Sequence, residues 1–462
     1  MSENRKIIEK THKKDNDIDW LVPVEDIFML PADNEWLIYA PLMNKIFRMN
    51  NSIFEERMES VANKDSFYHE ISKHPSLDIA EDDNEHARPS LHPLGLGVTL
   101  SPTTGCYLGC VYCCVSSNET VVHMDEEIAS RALTIAANNY KKAGIETFHV
   151  KFHGQGEPSL NWKIIEYSTD FATRLAKDLN LKPSFAMVTS GVFSDSKLEY
   201  LVRNKFYLEI SLDGVGPVND KQRMFRHGGS VFEKVFSTIE RLDERGMAYM
   251  IRYTASSENV AHIPAFVAFM ADNTNCKHIQ IEPLTNDAGR AITASTSGPE
   301  PAAFLRYLIE GRNAGEEKGI SVHSPMMMDD FKRNSFCGAY GEEHLNFIVA
   351  SDGLISSCVE GLDRNDPRSR FFSYGEYDRE TKEFIFKAEQ ADRLREMSVH
   401  KIEDCKDCFA KWHCAGNCLA RGWVETSTKF KLDTGRCYIT RYFAREKLLS
   451  LGVDATSKRT GR

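Results

Sequence analysis

The placement of cysteine constrains this chain more than any other feature of its sequence. Ten of its 12 cysteines form two groups, Cys106-x3-Cys110-x2-Cys113 and seven positions from Cys337 to Cys437. The chain has no apolar run long enough to span a membrane and no apolar segment typical of a secretory signal, so we expect a cytoplasmic protein. Structural disulfides are disfavoured in the cytoplasm, and the short regular spacings therefore predict metal ligands.

Length and charge narrow the organisation of the chain and its partners. A chain of 462 residues is too long for one ordinary hydrophobic core, so we expect more than one domain. Its composition also changes along its length. A formal net charge of −10 argues against a nucleic-acid partner, which would normally meet a basic face. We expect four parts: an N-terminal domain (1–90), a barrel domain (91–325), a cysteine-rich domain (326–440) and a C-terminal helix and tail (441–462).

From residue 94 onward, apolar strands alternate with amphipathic helices. The expected helices include 126–143, 161–179, 230–245 and 301–318. The six expected strands are LGVTLS, TFHVKFHG, SFAMVTSG, FYLEISLDG, AYMIRYTAS and HIQIEPL. This alternation predicts an α/β fold with a parallel sheet covered by helices. Six units are too few for a closed eightfold barrel, which leaves an open, partial (β/α)6 barrel of the TIM type or a doubly wound sheet, with chemistry at the carboxyl ends of the strands.

Three cysteines on one short loop after the first strand suit an iron–sulfur cluster. Three thiolates can bind three irons of a [4Fe–4S] cube and leave the fourth iron open. A structural zinc normally takes four protein ligands, and only the adjacent Cys114 could supply the fourth here. Because neighbouring residues rarely bind the same cube, we interpret Cys114 as a bystander.

This loop resembles the signature of the radical S-adenosylmethionine (SAM) superfamily, Cys-x3-Cys-x-aromatic-Cys, with tyrosine at the aromatic position. The resemblance implies a SAM-binding cluster on Cys106, Cys110 and Cys113. The segment GQGEP resembles the Gly-Gly-Glu-Pro motif that holds the SAM amino group, although glutamine replaces the second glycine. A glutamate suits an ammonium, which needs a negatively charged acceptor. The SAM-binding residues implied are Tyr112, Gly154, Gln155, Gly156, Glu157, Ser190, Ser211 and, for the SAM carboxylate, Arg252.

The C-terminal cysteines resemble the SPASM pattern of radical SAM peptide and protein maturases. The resemblance implies two auxiliary [4Fe–4S] clusters, and hence three clusters in all. One is implied on Cys405, Cys408, Cys414 and Cys437, and the other on Cys337, Cys358 and Cys418. The second set lacks a fourth cysteine, so either Glu343 or His344 completes it or its iron stays open to substrate. Cys276 lies outside both sets, and we expect it in the core.

The family implies an enzyme that cleaves SAM reductively to a 5′-deoxyadenosyl radical, which takes a hydrogen atom from an unactivated carbon. The cofactor carries that step, while the protein orients the substrate. Auxiliary clusters suit a two-electron oxidation or a cross-link. Glu282 and Asp213 at strand ends are the candidate catalytic bases, with His153 a further one. A flavodoxin- or ferredoxin-type protein is the expected reductant.

The N-terminal domain bears on the substrate. The segments IFML, EWLIYAPL and KIFRMN are typical of strands, and SIFEERMESV and SFYHEISKH of helices. This order resembles the small α+β winged-helix domain that binds leader peptides as an added strand. It implies a ribosomally made precursor peptide with a leader as the substrate. An alternative substrate is a sulfatase, in which a cysteine or serine is oxidised to formylglycine.

A hypothesis of another class also remains open from the residues alone. The chain could be a non-catalytic scaffold whose cysteines bind zinc. Anaerobic reconstitution separates the two classes, because thiolate-bound [4Fe–4S] clusters are brown and zinc sites are colourless.

Overall fold

The computed structural model describes residues 12–15, 18–24, 26–43, 45–53, 77–78, 94–113, 120–285, 296–327, 339–340, 344–397, 399, 402–422 and 432–457. Two sheets organise these residues, one before residue 80 and one after residue 93. Among the helices described, none is long and apolar enough to cross a membrane.

The N-terminal sheet has six antiparallel strands whose order in space follows their order in the chain. They are β1 (His12–Asp15), β2 (Ile18–Val24), β3 (Ile27–Ala32), β4 (Glu35–Ala40), β5 (Lys45–Asn50) and β6 (Leu77–Asp78). The three strands predicted here are confirmed as β3, β4 and β5. The sequence did not predict β2, which follows a highly polar start. The two predicted helices lie almost wholly outside the described residues, so the winged-helix resemblance stays a prediction.

The second sheet contains seven parallel strands, each paired with the next. They are β7 (Leu94–Leu100), β8 (Thr147–Phe152), β9 (Lys182–Thr189), β10 (Tyr207–Ser211), β11 (Tyr249–Ala255), β12 (His278–Pro283) and β13 (Ser321–His323). The helices between them are Glu126–Ala143, Trp162–Leu179, Asp195–Arg203, Pro217–Gln222, Val231–Glu244, Ile263–Asn273 and Pro301–Lys318. The six predicted strands and the α/β fold with a parallel sheet are confirmed. The three-residue β13 is too short to show a period and was not predicted.

Strands from the C-terminal region extend this sheet beyond β7. They are β14 (Ala339–Tyr340), β15 (His344–Val349), β16 (Leu354–Ser356), β17 (Ser373–Asp378) and β18 (Glu383–Phe386). Strand β15 pairs in parallel with β7, and the strands that follow it pair antiparallel. The sheet therefore continues across the boundary expected near residue 325, into a region that the sequence indicated to be rich in loops. The helices there are Pro367–Phe372, Ala388–Arg395, Lys411–Cys414 and Thr434–Ser457.

The N-terminal sheet packs against the C-terminal region. One face of the sheet shares an apolar cluster with the cysteine-rich segment and the last helix, and its members include Phe28, Tyr39, Phe409, Ala444 and Leu448. Beside this cluster, the buried Asp26 forms an ion pair with the buried Lys411. Trp412 also donates from its indole nitrogen to Asp26 Oδ1 at 3.2 Å. The first and last parts of the chain thus form one packed unit.

Candidate active site and cluster sites

The first cysteine loop follows β7 at the carboxyl end of the sheet, where the sequence placed it. Its backbone is held by a second loop, because Gly109 N donates to the carbonyl of Met224 at 2.7 Å. Arg226 Nε also donates to the carbonyl of Cys106 at 3.1 Å. These bonds tie the loop from Cys106 to Cys113 to the segment that contains Met224 and Arg226.

The three thiols of this loop are suited to a positively charged metal group. All three side chains are partly buried. Burial raises the pKa of Cys106 to about 11 and that of Cys110 to about 12, and the neighbouring Cys113 contributes to both shifts. Such thiols are neutral at pH 7 unless a bound cation stabilises the thiolate, as it does when a metal binds. The donor set therefore fits the SAM-binding cluster that the sequence resemblance implies.

The GQGEP segment lies directly against the start of the cysteine loop. A Cβ atom at Gly156 would come within 2.2 Å of the carbonyl oxygen of Gly105, and one at Gly154 within 2.1 Å of Ser101 Oγ. The backbone of Glu157 donates to the carbonyl of Gly105 at 2.9 Å. Glycine is thus required at Gly156 because the two backbones touch there, and at Gly154 because the side chain of Ser101 occupies the place of a Cβ. The backbone contact brings the GQGEP backbone against Gly105, the residue before Cys106.

Glu157 is buried, and protein donors surround its carboxylate. Oε1 accepts from Thr189 Oγ1 at 2.7 Å and from Ser159 N at 3.2 Å, and Oε2 accepts from Ser190 N at 2.7 Å. Ser190 Oγ in turn lies 2.5 Å from the hydroxyl of Tyr107. The sequence motifs did not predict a role for Tyr107. The carboxylate therefore joins the ends of β8 and β9 to the cysteine loop. That it also binds the SAM amino group stays a prediction.

Asp213 anchors the aromatic residue of the cysteine loop. Its carboxylate is fully buried and accepts from the Tyr112 hydroxyl at 2.5 Å, from Arg223 Nε at 2.7 Å and from Thr254 N at 2.8 Å. Burial alone would lower the pKa of Arg223, but Asp213 reverses that effect and the net pKa is raised, so the cation is permanent. This bonding favours an anchoring role for Asp213 over the predicted role of a base. The sequence did not single out Arg223, because its partner is ten positions away and no motif contains it.

The face of the parallel sheet opposite the helices is polar. Along β10 and β11 the residues alternate, and those facing the helices are apolar and buried. On the opposite face, Lys151 Nζ lies 2.5 Å from Glu209 Oε1, and Arg252 Nη1 lies 3.7 Å from Glu209 Oε2. Ser211 pairs in register with Arg252. The structure thus brings Ser211 and Arg252 together at the carboxyl end of the sheet, where their predicted contacts with SAM would be made.

Glu282 lies at the same end of the sheet among guanidinium groups. Its carboxylate is 3.9 Å from Arg252 Nη2 and 4.0 Å from both Arg421 Nη2 and Arg436 Nη1. Burial alone would raise the pKa of Glu282, but the three arginines and a hydrogen bond from Gln280 bring it below its usual value. A carboxylate held ionised in this way is a weak base, which argues against the predicted catalytic role.

The further candidate base, His153, is also poorly suited to that role. Burial, with Arg252 and Lys151 nearby, holds the pKa of His153 well below its usual value. The imidazole is therefore neutral at pH 7 and resists protonation.

Four of the C-terminal cysteines line one pocket. They are Cys405, Cys408, Cys414 and Cys437, the set expected to hold one auxiliary cluster. Burial raises the pKa of Cys405 to about 12, with Cys414 the next contributor, and burial also raises the pKa of Cys408 and Cys437. Four thiols around one pocket fit a [4Fe–4S] cluster, in which each iron takes its own thiolate.

The other expected cluster site is described only in part. Cys358 and Cys418 are partly buried, whereas Cys337 and Glu343 lie outside the described residues, and only the backbone of His344 is described. The fourth ligand of this second auxiliary cluster therefore stays a prediction. Over the described ranges, no three His, Cys, Asp or Glu side chains are grouped as a site for a single metal ion.

Two cysteines, Cys114 and Cys276, lie outside these sets. Cys276 is 2% exposed within the main core, and its thiol donates to the carbonyl of His278 at 3.3 Å. The prediction that it is a core residue is confirmed. Cys114 lies outside the described residues.

Comparison with known proteins agrees with this geometry. Residues 100–270 match the model of the Radical SAM superfamily. A cysteine-type anaerobic sulfatase-maturating enzyme of Clostridium perfringens is 24% identical over 344 residues, which cover 70% of this chain and 88% of that enzyme. An uncharacterised protein of Archaeoglobus fulgidus is 22% identical over 348 residues, covering 72% of this chain and 76% of that protein.

Two solved structures share the fold. The structure of anSMEcpe with bound AdoMet and the peptide Cp18Cys matches with a TM-score of 0.61 and 18% identity, over 78% of this chain and 99% of that one. Streptococcus suis SuiB bound to the precursor peptide SuiA matches with a TM-score of 0.53 and 14% identity, over 89% of this chain and 98% of that one.

Proposed function

We propose that this radical SAM protein cleaves SAM reductively and oxidises a residue of a ribosomally made precursor peptide that carries a leader. The product is a carbon–carbon, ether or thioether cross-link or a related oxidation. The cofactors are SAM and three [4Fe–4S] clusters, and the reductant is a flavodoxin- or ferredoxin-type protein. The chain acts in the cytoplasm.

The residues at the carboxyl end of the sheet divide the work of binding these cofactors. Cys106, Cys110 and Cys113 would hold the first cluster, and the backbone from Gly154 to Gly156, which contacts Ser101 and Gly105, would bind the SAM amino group. Arg252, on the barrel face, would pair with the SAM carboxylate. When bound, SAM and the clusters supply a 5′-deoxyadenosyl radical and an acceptor for the electron left on the substrate. The open side of the barrel would admit the peptide.

The N-terminal sheet is the observation that best supports a peptide substrate. Among the described residues β1 is an edge strand of this sheet, to which an extended peptide could add through backbone hydrogen bonds. The likeness to SuiB covers 89% of the chain, against 78% for anSMEcpe, and SuiB was solved with a precursor peptide. The same sheet packs on the segment that contains Cys408 and Cys414. A leader bound there would therefore lie close to an auxiliary cluster.

Formation of formylglycine on a sulfatase is a second candidate function. The observation that favours it is the sequence similarity, because curated relatives from Clostridium perfringens and Clostridium novyi are cysteine-type anaerobic sulfatase-maturating enzymes. Both candidates use the same radical and differ in the substrate and the product.

Anaerobic reconstitution with two substrates tests the proposal. One substrate is a precursor peptide encoded beside the gene, prepared with and without its leader, and the other is a sulfatase peptide with the target cysteine or serine. We expect the leader-bearing peptide to lose two hydrogen atoms for each 5′-deoxyadenosine formed, and the leaderless peptide to react poorly. Conversion of the sulfatase peptide to formylglycine, with no change in the precursor, would select the second candidate. A colourless protein that binds zinc alone would reject both.

A leaderless peptide is a cleaner probe here than a truncated enzyme. The N-terminal sheet buries Phe409 and Leu448 of the C-terminal region. Removing residues 1–90 would expose that apolar surface and disturb the segment around Cys408 and Cys414. The truncated chain would then lose function for two reasons that one assay could not separate.

A further inference from the structure

The guanidinium of Arg441 lies against one cysteine of the four-cysteine pocket. Arg441 Nε donates to Cys408 Sγ at 3.5 Å, and both residues line the pocket with Cys405, Cys414 and Cys437. We propose that Arg441 is a positioning residue that raises the reduction potential of the auxiliary cluster expected there, through its N–H···S hydrogen bond to Cys408. The inference rests on the clusters of the proposed function and does not depend on which peptide is the substrate.

The last helix directs Arg441 toward the cluster pocket. Cys437 and Arg441 are four positions apart in the helix Thr434–Ser457, so they share one face of it. Cys437 lines the pocket from that face. The period of the helix therefore brings the arginine to the same pocket as the cysteine.

A tryptophan of the N-terminal sheet holds the guanidinium in this place. Arg441 Cζ lies 5.4 Å from the centre of the Trp20 ring, within the range of a cation–π interaction. Trp20 is 4% exposed, and its Nε1 donates to the carbonyl of Asp407, the residue before Cys408, at 2.9 Å. Trp20 thus contacts the guanidinium through its ring and the cysteine segment through its N–H. A donor held in this way loses less conformational entropy when it binds the sulfur.

The charge of Arg441 sets the direction of its effect on the cluster. Reduction adds one negative charge to a cluster and its thiolates, and a charged N–H donor stabilises the more negative state. Hydrogen bonds to the sulfurs are among the factors that set the potential of an iron–sulfur cluster. In the proposed reaction the substrate radical passes one electron to an auxiliary cluster and releases one proton to water. By stabilising the reduced cluster, Arg441 would favour that oxidation.

Arg441 and Cys408 also separate the cluster pocket from the outside. Both line a second, open pocket of about 270 Å³, together with Trp20, Glu403 and Asp404. Solvent exposure also affects the potential of a cluster, so a variant must not open this wall to water. Methionine keeps an unbranched side chain in the wall while it removes the N–H donor and the charge. Arg441→Met is therefore the variant of choice.

Redox titration of the reconstituted holoenzyme, without SAM or peptide, tests the inference. The reduction of each cluster is followed by EPR. We expect Arg441→Met to make the reduction of one cluster about tenfold less favourable, which lowers its potential by about 59 mV for one electron. The potentials of the other two clusters should not change. Arg441→Lys keeps the charge but loses the Nε donor, so its shift should be smaller.

Two more variants separate a hydrogen bond from a general effect of charge or folding. Trp20→Phe removes the bond to Asp407 and weakens the cation–π interaction, so it should shift the same cluster in the same direction. The matched control is Arg445→Met, because Arg445 lies one turn further along the helix and contacts Glu446. We expect its potentials to equal those of the wild type. An unchanged potential in Arg441→Met, or an equal shift in Arg445→Met or in all three clusters, would overturn the proposal.

Turnover then distinguishes this inference from the proposed function. Where a peptide reacts, Arg441→Met should form less product for each deoxyadenosine than the wild type does. If no peptide reacts but the one potential still shifts, the proposed reaction fails and the role of Arg441 stands. If the peptide reacts but Arg441→Met leaves every potential unchanged, the reaction stands and the role of Arg441 fails. A wild-type protein that takes up no iron would reject both.

Discussion

Replacing Gly156 by alanine is the most direct test of how the cysteine loop is positioned. The new Cβ would lie 2.2 Å from the carbonyl oxygen of Gly105 and 2.7 Å from that of Thr103. Close contacts between carbon and oxygen lie at about 3.3 Å or more, so the backbone segments must separate by about 1 Å. Both oxygens belong to the backbone and cannot rotate away. Since Gly105 immediately precedes Cys106, the displacement passes directly to the first of the three cysteines expected to bind the cluster.

The expected consequence is a large loss of SAM cleavage with a modest loss of stability. A misplacement of about 1 Å at a reacting centre can lower a rate about 100-fold. Overpacking of a tight contact costs about 1–3 kcal/mol of the free energy of unfolding. We therefore expect Gly156→Ala to remain folded while deoxyadenosine forms about 100-fold more slowly. The assay measures deoxyadenosine under reducing conditions, with iron content and thermal unfolding determined in parallel.

Gly109→Ala provides the matched control. Gly109 lies between two of the cysteines, closer to the thiols along the chain than Gly156 does. Its Cβ would meet only Arg226 Cγ at 3.8 Å and atoms of Met224 at 3.9 Å or more, which are ordinary contacts. We expect the rate to stay within about twofold of wild type, in line with a benign substitution. An active Gly156→Ala variant, or a Gly109→Ala variant equally impaired, would refute the steric reasoning.

Two further predictions follow from the cluster sites and from the joint between the sheets. Replacing Cys106, Cys110 or Cys113 by alanine should abolish deoxyadenosine formation but leave the iron of the auxiliary clusters bound, and a wild-type rate would show that these thiols do not hold the SAM-binding cluster. Asp26→Asn leaves Lys411 buried without its ion-pair partner, so we expect a loss of about 3–5 kcal/mol in the free energy of unfolding. Urea unfolding measures that loss, and the Asp26→Asn/Lys411→Met double variant should recover part of it, since no lone charge stays buried.

The sequence by itself determined the local features of this protein. The strands from β7 to β12 and the helices Glu126–Ala143 and Pro301–Lys318 lie where the apolar period placed them, because that period is set by neighbours a few residues apart. The same holds for the cysteine loop after the first strand, whose chemistry is contained in one short motif. The strand pattern likewise indicated that chemistry would gather at the carboxyl end of the sheet.

Only the tertiary structure decided which distant residues meet. Tyr112 and Asp213 are 101 positions apart and share a hydrogen bond, and that bond favours an anchor where the sequence indicated a base. Glu282, the other predicted base, lies beside Arg421 and Arg436, far along the chain, and their charges lower its pKa. A side chain's burial and partners depend on contacts between elements, and no local period encodes them. The pairing of β15 with β7, and the packing of the N-terminal sheet on the cysteine-rich segment, arise for the same reason: apolar faces from remote segments are buried together only when the whole chain folds.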